Sequence, residues 1–111
     1  MNRPPPANET DSLVDYPLSD GVNFDNLAEL RKHAEQQIDN LVEGQALRVR
    51  FTSLQHSGSA AVALMIAIYR RGHVTGRKVS FVDVPDAVIN IIEVSGLSEV
   101  LPVAGPSRSP V

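Results

Sequence analysis

The sequence has no cysteine. That excludes disulfides, thiolate metal ligands and a cysteine nucleophile, and it leaves the fold to rest on packing alone. There is no excess of positive charge either. At a net charge of -3 the chain lacks the basic face that phosphate backbones require, so no nucleic acid partner is expected. The N-terminus, Met1-Asn2-Arg3-Pro4-Pro5-Pro6, has no apolar stretch of the kind a signal peptide carries. The longest uninterrupted apolar run, residues 60–68, is about half the roughly 20 residues of a membrane-spanning helix. A soluble cytoplasmic protein is the expectation. Other absences concern chemistry. There is no Gly-x-Ser-x-Gly nucleophile elbow, no Gly-x-x-x-x-Gly-Lys phosphate loop and no His-x-x-x-His pair. No internal repeat is present.

What the chain does have is enough apolar surface for one core. Apolar residues make up 42% of its 111 residues, within the size of a single domain, roughly 100–150 residues. Residues 1–12 hold Pro4-Pro5-Pro6 and then polar residues, and are expected to be a disordered tail. Residues 13–24 can hold one or two short strands joined by the Ser19-Asp20-Gly21 turn, with Pro17 marking a sheet edge. In residues 25–43, Leu27, Leu30, Ala34, Ile38 and Leu41 recur at helical spacing. Asp25 or Asn26 can cap that helix, with Glu29 completing a capping box, and Gly44 can end it.

Leu47, Val49 and Phe51 alternate with Arg48, Arg50 and Thr52. This predicts a strand over 45–54 with one dry and one wet face, and a sheet covered by helices on one side. A small polar turn, His56-Ser57-Gly58-Ser59, then runs straight into the apolar run. A helix from Ser57 to about Arg71 follows, ended by Gly72. It is apolar on nearly every side, so other helices or a partner must cover it. Residues 79–82 return as a strand, expected to be parallel to the first. Pro85 opens a third helix, whose stripe is Ala87, Val88, Ile91, Ile92 and Val94, ended by Gly96 with Leu97 folding back. Val100-Leu101 is a candidate terminal strand, and residues 103–111 are expected to be a flexible tail.

Ser57 is the sharpest candidate for function, followed by Ser59. A serine here can simply cap the helix, worth about 1 kcal/mol. It can also take a phosphate, which a helix N-terminus welcomes, or touch a partner. His56 beside Ser57 does not make a nucleophile pair, because neighbours on a turn rarely point together. His33, His56 and His73 fall in three different elements, so no metal site is expected. Arg70, Arg71, Arg77 and Lys78 cluster at one end, as a solvated turn or a surface for an acidic partner. Asp83 and Asp86 suit the positively polarised start of the third helix. No carboxylate pair has an acid–base context. The chain reads as a non-enzymatic binding module without a cofactor.

The order of elements resembles a STAS domain, the fold of anti-sigma-factor antagonists. The resemblance lies on His56-Ser57-Gly58-Ser59-Ala60, on residues 79–84 with Pro85-Asp86-Ala87-Val88, and on Val94-Ser95-Gly96-Leu97. It implies an α/β STAS fold over residues 13–102, a small mixed sheet with helices on one face. It also places Ser57 on the position that is phosphorylated in sigma-regulating members. The chain departs from the family in having His56 where an Asp precedes the hydroxyl residue, and in a shortened or absent first strand.

The size, the missing Asp and the alanine-rich helix look more like the small STAS subunit of the Mla phospholipid-transport ABC complex. That resemblance implies docking on the cytoplasmic ATPase, and hence a location at the inner membrane through the partner alone. His56, Ser57, Gly58, Ser59, Ala60 and Ala61 would form the docking surface. The alternatives are an anti-sigma-factor antagonist, switched by an anti-sigma kinase through Ser57, and a small-ligand or lipid-binding domain with the apolar helix as a pocket wall.

Overall fold

The structure, a computed structural model, describes residues 12–53 and 56–104. Strands β1 (Leu13–Leu18), β2 (Ala46–Phe51) and β3 (Lys78–Val82) lie side by side in that order. All of them are parallel, not mixed. The reason is connectivity. Each strand leads into a helix that carries the chain back, and Ser19-Asp20-Gly21 opens into helix α1 (Leu27–Asp39) instead of turning a hairpin. β1 is an edge strand, which suits Pro17 and its missing donor.

Register then sorts the side chains. Tyr16, Val49 and Phe81 share one row and, with Leu18, Leu47, Phe51 and Val79, are buried on the helix side. Asp15, Arg48 and Ser80 share the next row on the opposite, wetter face. Helix α2 (Gly58–Thr75) is the middle helix, flanked by α1 and by α3 (Asp86–Val94) and resting on β3. Cover for its apolar surface therefore comes mostly from its own chain. Ala60, Ala61, Leu64, Met65 and Ile68 are each at most 1% exposed.

Three helix ends differ from the spacing-based expectation. Asn26 precedes α1 but makes no side-chain cap, so the capping box with Glu29 does not form. Its Oδ1 accepts the Asn23 N–H at 2.9 Å, while Asn23 Oδ1 accepts the N–H groups of Asp25 and Asn26; the two asparagines are spent on each other's turn. α1 stops at Asn40, and Gly44, at φ 91°, belongs to the turn before β2. α2 runs a turn past Gly72 to Gly76, where φ is 72° and Arg77 N–H reaches back to the Gly72 carbonyl at 2.8 Å. Gly72 instead lets α2 approach β3. A Cβ there would sit 2.6 Å from Val79 Cγ2 and 2.9 Å from the Arg77 carbonyl oxygen.

The C-terminal stop of α3 is as expected. Gly96 is left-handed, and the N–H groups of Gly96 and Leu97 bond the Glu93 and Ile92 carbonyls. The terminal strand lies slightly beyond Val100-Leu101. Val103 bridges Phe81 in parallel, and Ala104 accepts from Val84 N–H at 3.1 Å. The expected tails over 1–11 and 105–111 fall outside the described residues.

On the wet face Asp15 sits between two arginines. Arg50 Nη2 donates to it at 2.7 Å, and Arg48 Nε lies 3.4 Å away, attracted but outside hydrogen-bond geometry. The Arg50 hydrogen bond holds the Asp15 carboxyl below the usual value. A depressed folded-state pKa contributes stability above the unfolded value, and that stability is lost as pH falls through the folded value. Asp15→Asn should therefore be less stable than the parent near neutrality, with the difference closing as urea midpoints are followed to acid pH. Gly76→Ala should cost about 1 kcal/mol through its left-handed backbone. Gly72→Ala should cost about 1–3 kcal/mol, because the backbone of Arg77 must shift, despite a better helix propensity. Urea unfolding of both variants checks the contrast.

Candidate functional site

The carboxyl ends of the strands carry the loop 19–26, the segments 52–53 and 56–57, and the loop 83–85, the edge at which parallel α/β sheets bind their ligands. Two of these loops are bonded together through Val22 and the turn at 56–57. The Val22 N–H donates to His56 Nδ1 at 3.0 Å, and the Ser57 N–H donates to the Val22 carbonyl at 2.8 Å. Because Val22 N–H can only donate, Nδ1 carries no proton. The ring is therefore the Nε2–H tautomer, donating to the Ser53 carbonyl at 2.8 Å. The Phe51 ring meets the imidazole edge-on at 5.1 Å between centroids. His56 is thus a brace. Both ring nitrogens are committed to backbone groups, which excludes it as a base for Ser57.

Ser57 precedes α2 with extended backbone (φ −71°, ψ 118°), and its carbonyl accepts the Ala61 N–H. Its side chain makes no capping bond. The half-buried hydroxyl is left at the positive end of an 18-residue helix. Gly58 is half-buried because α3 crosses here; a Cβ would run into the terminal methyl of Ile91. Ser59 is exposed. Ala60 and Ala61 are both 0% exposed. Their place in the expected docking surface is corrected: they point into the core and set how closely α2 lies on the domain. The accessible line from the turn instead follows Ser59, Ala63, Ile66 and Ala67, one helical face.

The sequence pattern did not single out Val22 or Phe24, and it gave Ile91 only as part of the third helix's stripe, not as the neighbour of Gly58. Val22 is fully buried in a loop whose only hint was one apolar residue after Gly21. Phe24 is 65% exposed on the turn that Asn23 and Asn26 brace. His33 lies 2.8 Å from the Tyr16 hydroxyl and His73 stacks on Tyr69, so the histidines do not converge. Among the described residues no three His, Asp or Glu side chains form a metal-holding group. None of their helices is long and apolar enough to cross a membrane.

His56→Ala should destabilise the domain by about 1–3 kcal/mol, the cost of leaving the buried Val22 N–H without an acceptor. His56→Asn and His56→Asp place Oδ1 as far from the backbone as Nδ1 and should recover much of it. Hydrogen exchange of the Val22 amide, faster in His56→Ala and restored in His56→Asn, reads the brace directly.

No curated protein matches the chain. Among solved structures it is similar to one titled as the anti-sigma factor antagonist SpoIIAA in its unphosphorylated form, with a TM-score of 0.58. That match covers 85% of this chain and 81% of the other at 13% identity, and so it speaks for the fold. The family model described as "Mlab, STAS domain" matches residues 18–102, the whole sheet-and-helix unit apart from most of β1. The chain belongs to the STAS-domain family.

Proposed function

We propose that the domain is the non-catalytic STAS subunit of an ABC-type phospholipid-trafficking transporter, docking on its cytoplasmic ATPase and supporting its assembly and activity. The observation that carries this reading is the Ser57 turn: a hydroxyl not spent on capping opens onto the accessible line Ser59, Ala63, Ile66 and Ala67. Small side chains along a helix let a partner's backbone come close, and the exposed Phe24 ring offers the kind of aromatic anchor that dominates interfaces. The Mlab description of the matching family favours the transporter over other STAS partners. On this reading the protein is cytoplasmic and meets the inner membrane only through its partner.

A second reading has its own support. The fold is shared with an anti-sigma factor antagonist, and the Ser57 hydroxyl stands where a helix N-terminus favours a phosphate. That reading makes the chain a partner of an anti-sigma kinase, switched at Ser57.

Two experiments separate them. In a pull-down with the ATPase subunit of a phospholipid-trafficking ABC transporter, Ser59→Glu and Phe24→Ala should each weaken capture at least about tenfold, with the unfolding midpoint unchanged. Unaltered capture by both variants would remove the transporter reading. Intact-mass measurement after incubation with an anti-sigma kinase and ATP should show no added phosphate; one phosphate, lost in Ser57→Ala, would establish the antagonist instead.

A further inference from the structure

Two cavities lie at the opposite end of the domain from the Ser57 turn, and they share Tyr69 and His73. One, of about 420 Å³, is a groove between the last turns of α2 and the segment after α3. Its walls are Ile66, Val74, Leu97, Val100 and Leu101. Val74 and Val100 are 79% and 52% exposed, an apolar outlay that the core does not use. The other, of about 500 Å³, has Arg77 and Lys78 in its lining. Among the described residues no carboxylate lines either one, although Glu35 shares a third cavity with Arg70 on the other side of the helix.

Arg70, on the rim of the groove, differs from its neighbours. Arg71 is paired with Asp39 at 2.6 Å, Arg31 with Glu35, and Arg48 and Arg50 with Asp15. Arg77 donates to the Leu41 carbonyl. Among the described residues Arg70 alone of the arginines has no ion-pair or hydrogen-bond partner. A guanidinium fork with nothing to hold, beside the Tyr69 ring and an apolar groove, is complementary to a carboxylate with a hydrocarbon tail. From Ile66 to Val74 the groove follows about 12 Å of helix, long enough for a medium-length chain.

We propose that this groove binds a medium-chain aliphatic carboxylate, its tail against Ile66, Val74, Leu97, Val100 and Leu101 and its head on Arg70. The head-group end of the site, at Arg70 and Val74, lies away from the Ser57 turn, and Ile66 borders both the groove and the proposed docking line.

The test is a methyl-resolved NMR titration of the full chain with decanoate, with decanol and acetate as tail-only and head-only probes. Decanoate should shift the methyls of Ile66, Val74, Leu97 and Val100, more tightly than decanol, and acetate should shift none of them. Arg70→Gln, folded as judged by its unchanged amide spectrum, should weaken decanoate at least about tenfold and bring it level with decanol. Ser59→Glu should leave decanoate binding as it was. The proposal is overturned if decanoate shifts no groove methyl below its micelle concentration, if decanol binds the parent equally well, or if Arg70→Gln binds decanoate undiminished.

Discussion

Everything in this domain is arranged around how closely α2 can lie against the rest of the chain. Ala60 and Ala61 at its start and Gly72 near its end are each buried, and each is small where a larger side chain would push a neighbour away. At Gly72 that neighbour is the backbone of Arg77 as well as Val79; at Gly58 it is Ile91 of α3. Interiors packed at crystal-like density transmit such displacements instead of absorbing them. With the helix held at both ends, the turn that feeds it is held too.

That turn is secured by hydrogen bonds whose donors and acceptors are mostly backbone. Val22 gives its N–H to His56 and takes the N–H of Ser57, so the loop after β1 is bonded to the start of α2. What His56 supplies is an acceptor for the Val22 N–H, through an unprotonated Nδ1. The hydroxyl of Ser57 is left unspent because the helix-start geometry relies on its main chain, not its side chain.

Charge is distributed by the same economy. The sheet face without helices carries Asp15 between Arg48 and Arg50, and α1 is tied to α2 by Asp39 and Arg71. Exposed pairs of this kind contribute little stability, but they leave no idle charge where they occur. The cluster of Arg70, Arg71, Arg77 and Lys78 therefore divides: Arg71 and Arg77 are structural, while Arg70 faces an open groove. A reading of that cluster as one basic patch would miss the division.

Periodicity alone determined a great deal here. The alternation of Leu47, Val49 and Phe51, the stripe through Ala34 and Ile38, and the Gly96-Leu97 stop are local patterns with local causes, and each reappears in the structure. The turn at Ser57 was legible for the same reason, since a polar turn before an apolar run marks a helix start. Only the tertiary structure decided the rest. Whether Gly72 or Gly76 ends α2 depends on what Gly72 meets across space. Whether Ala60 and Ala61 face a partner or the core depends on which helices flank them. Asn26 was drawn from capping by Asn23, and Arg70 was singled out only by what its neighbours had already bound. A sequence records which groups can pair or pack; it does not record which have been claimed, because that competition is settled between residues far apart in the chain.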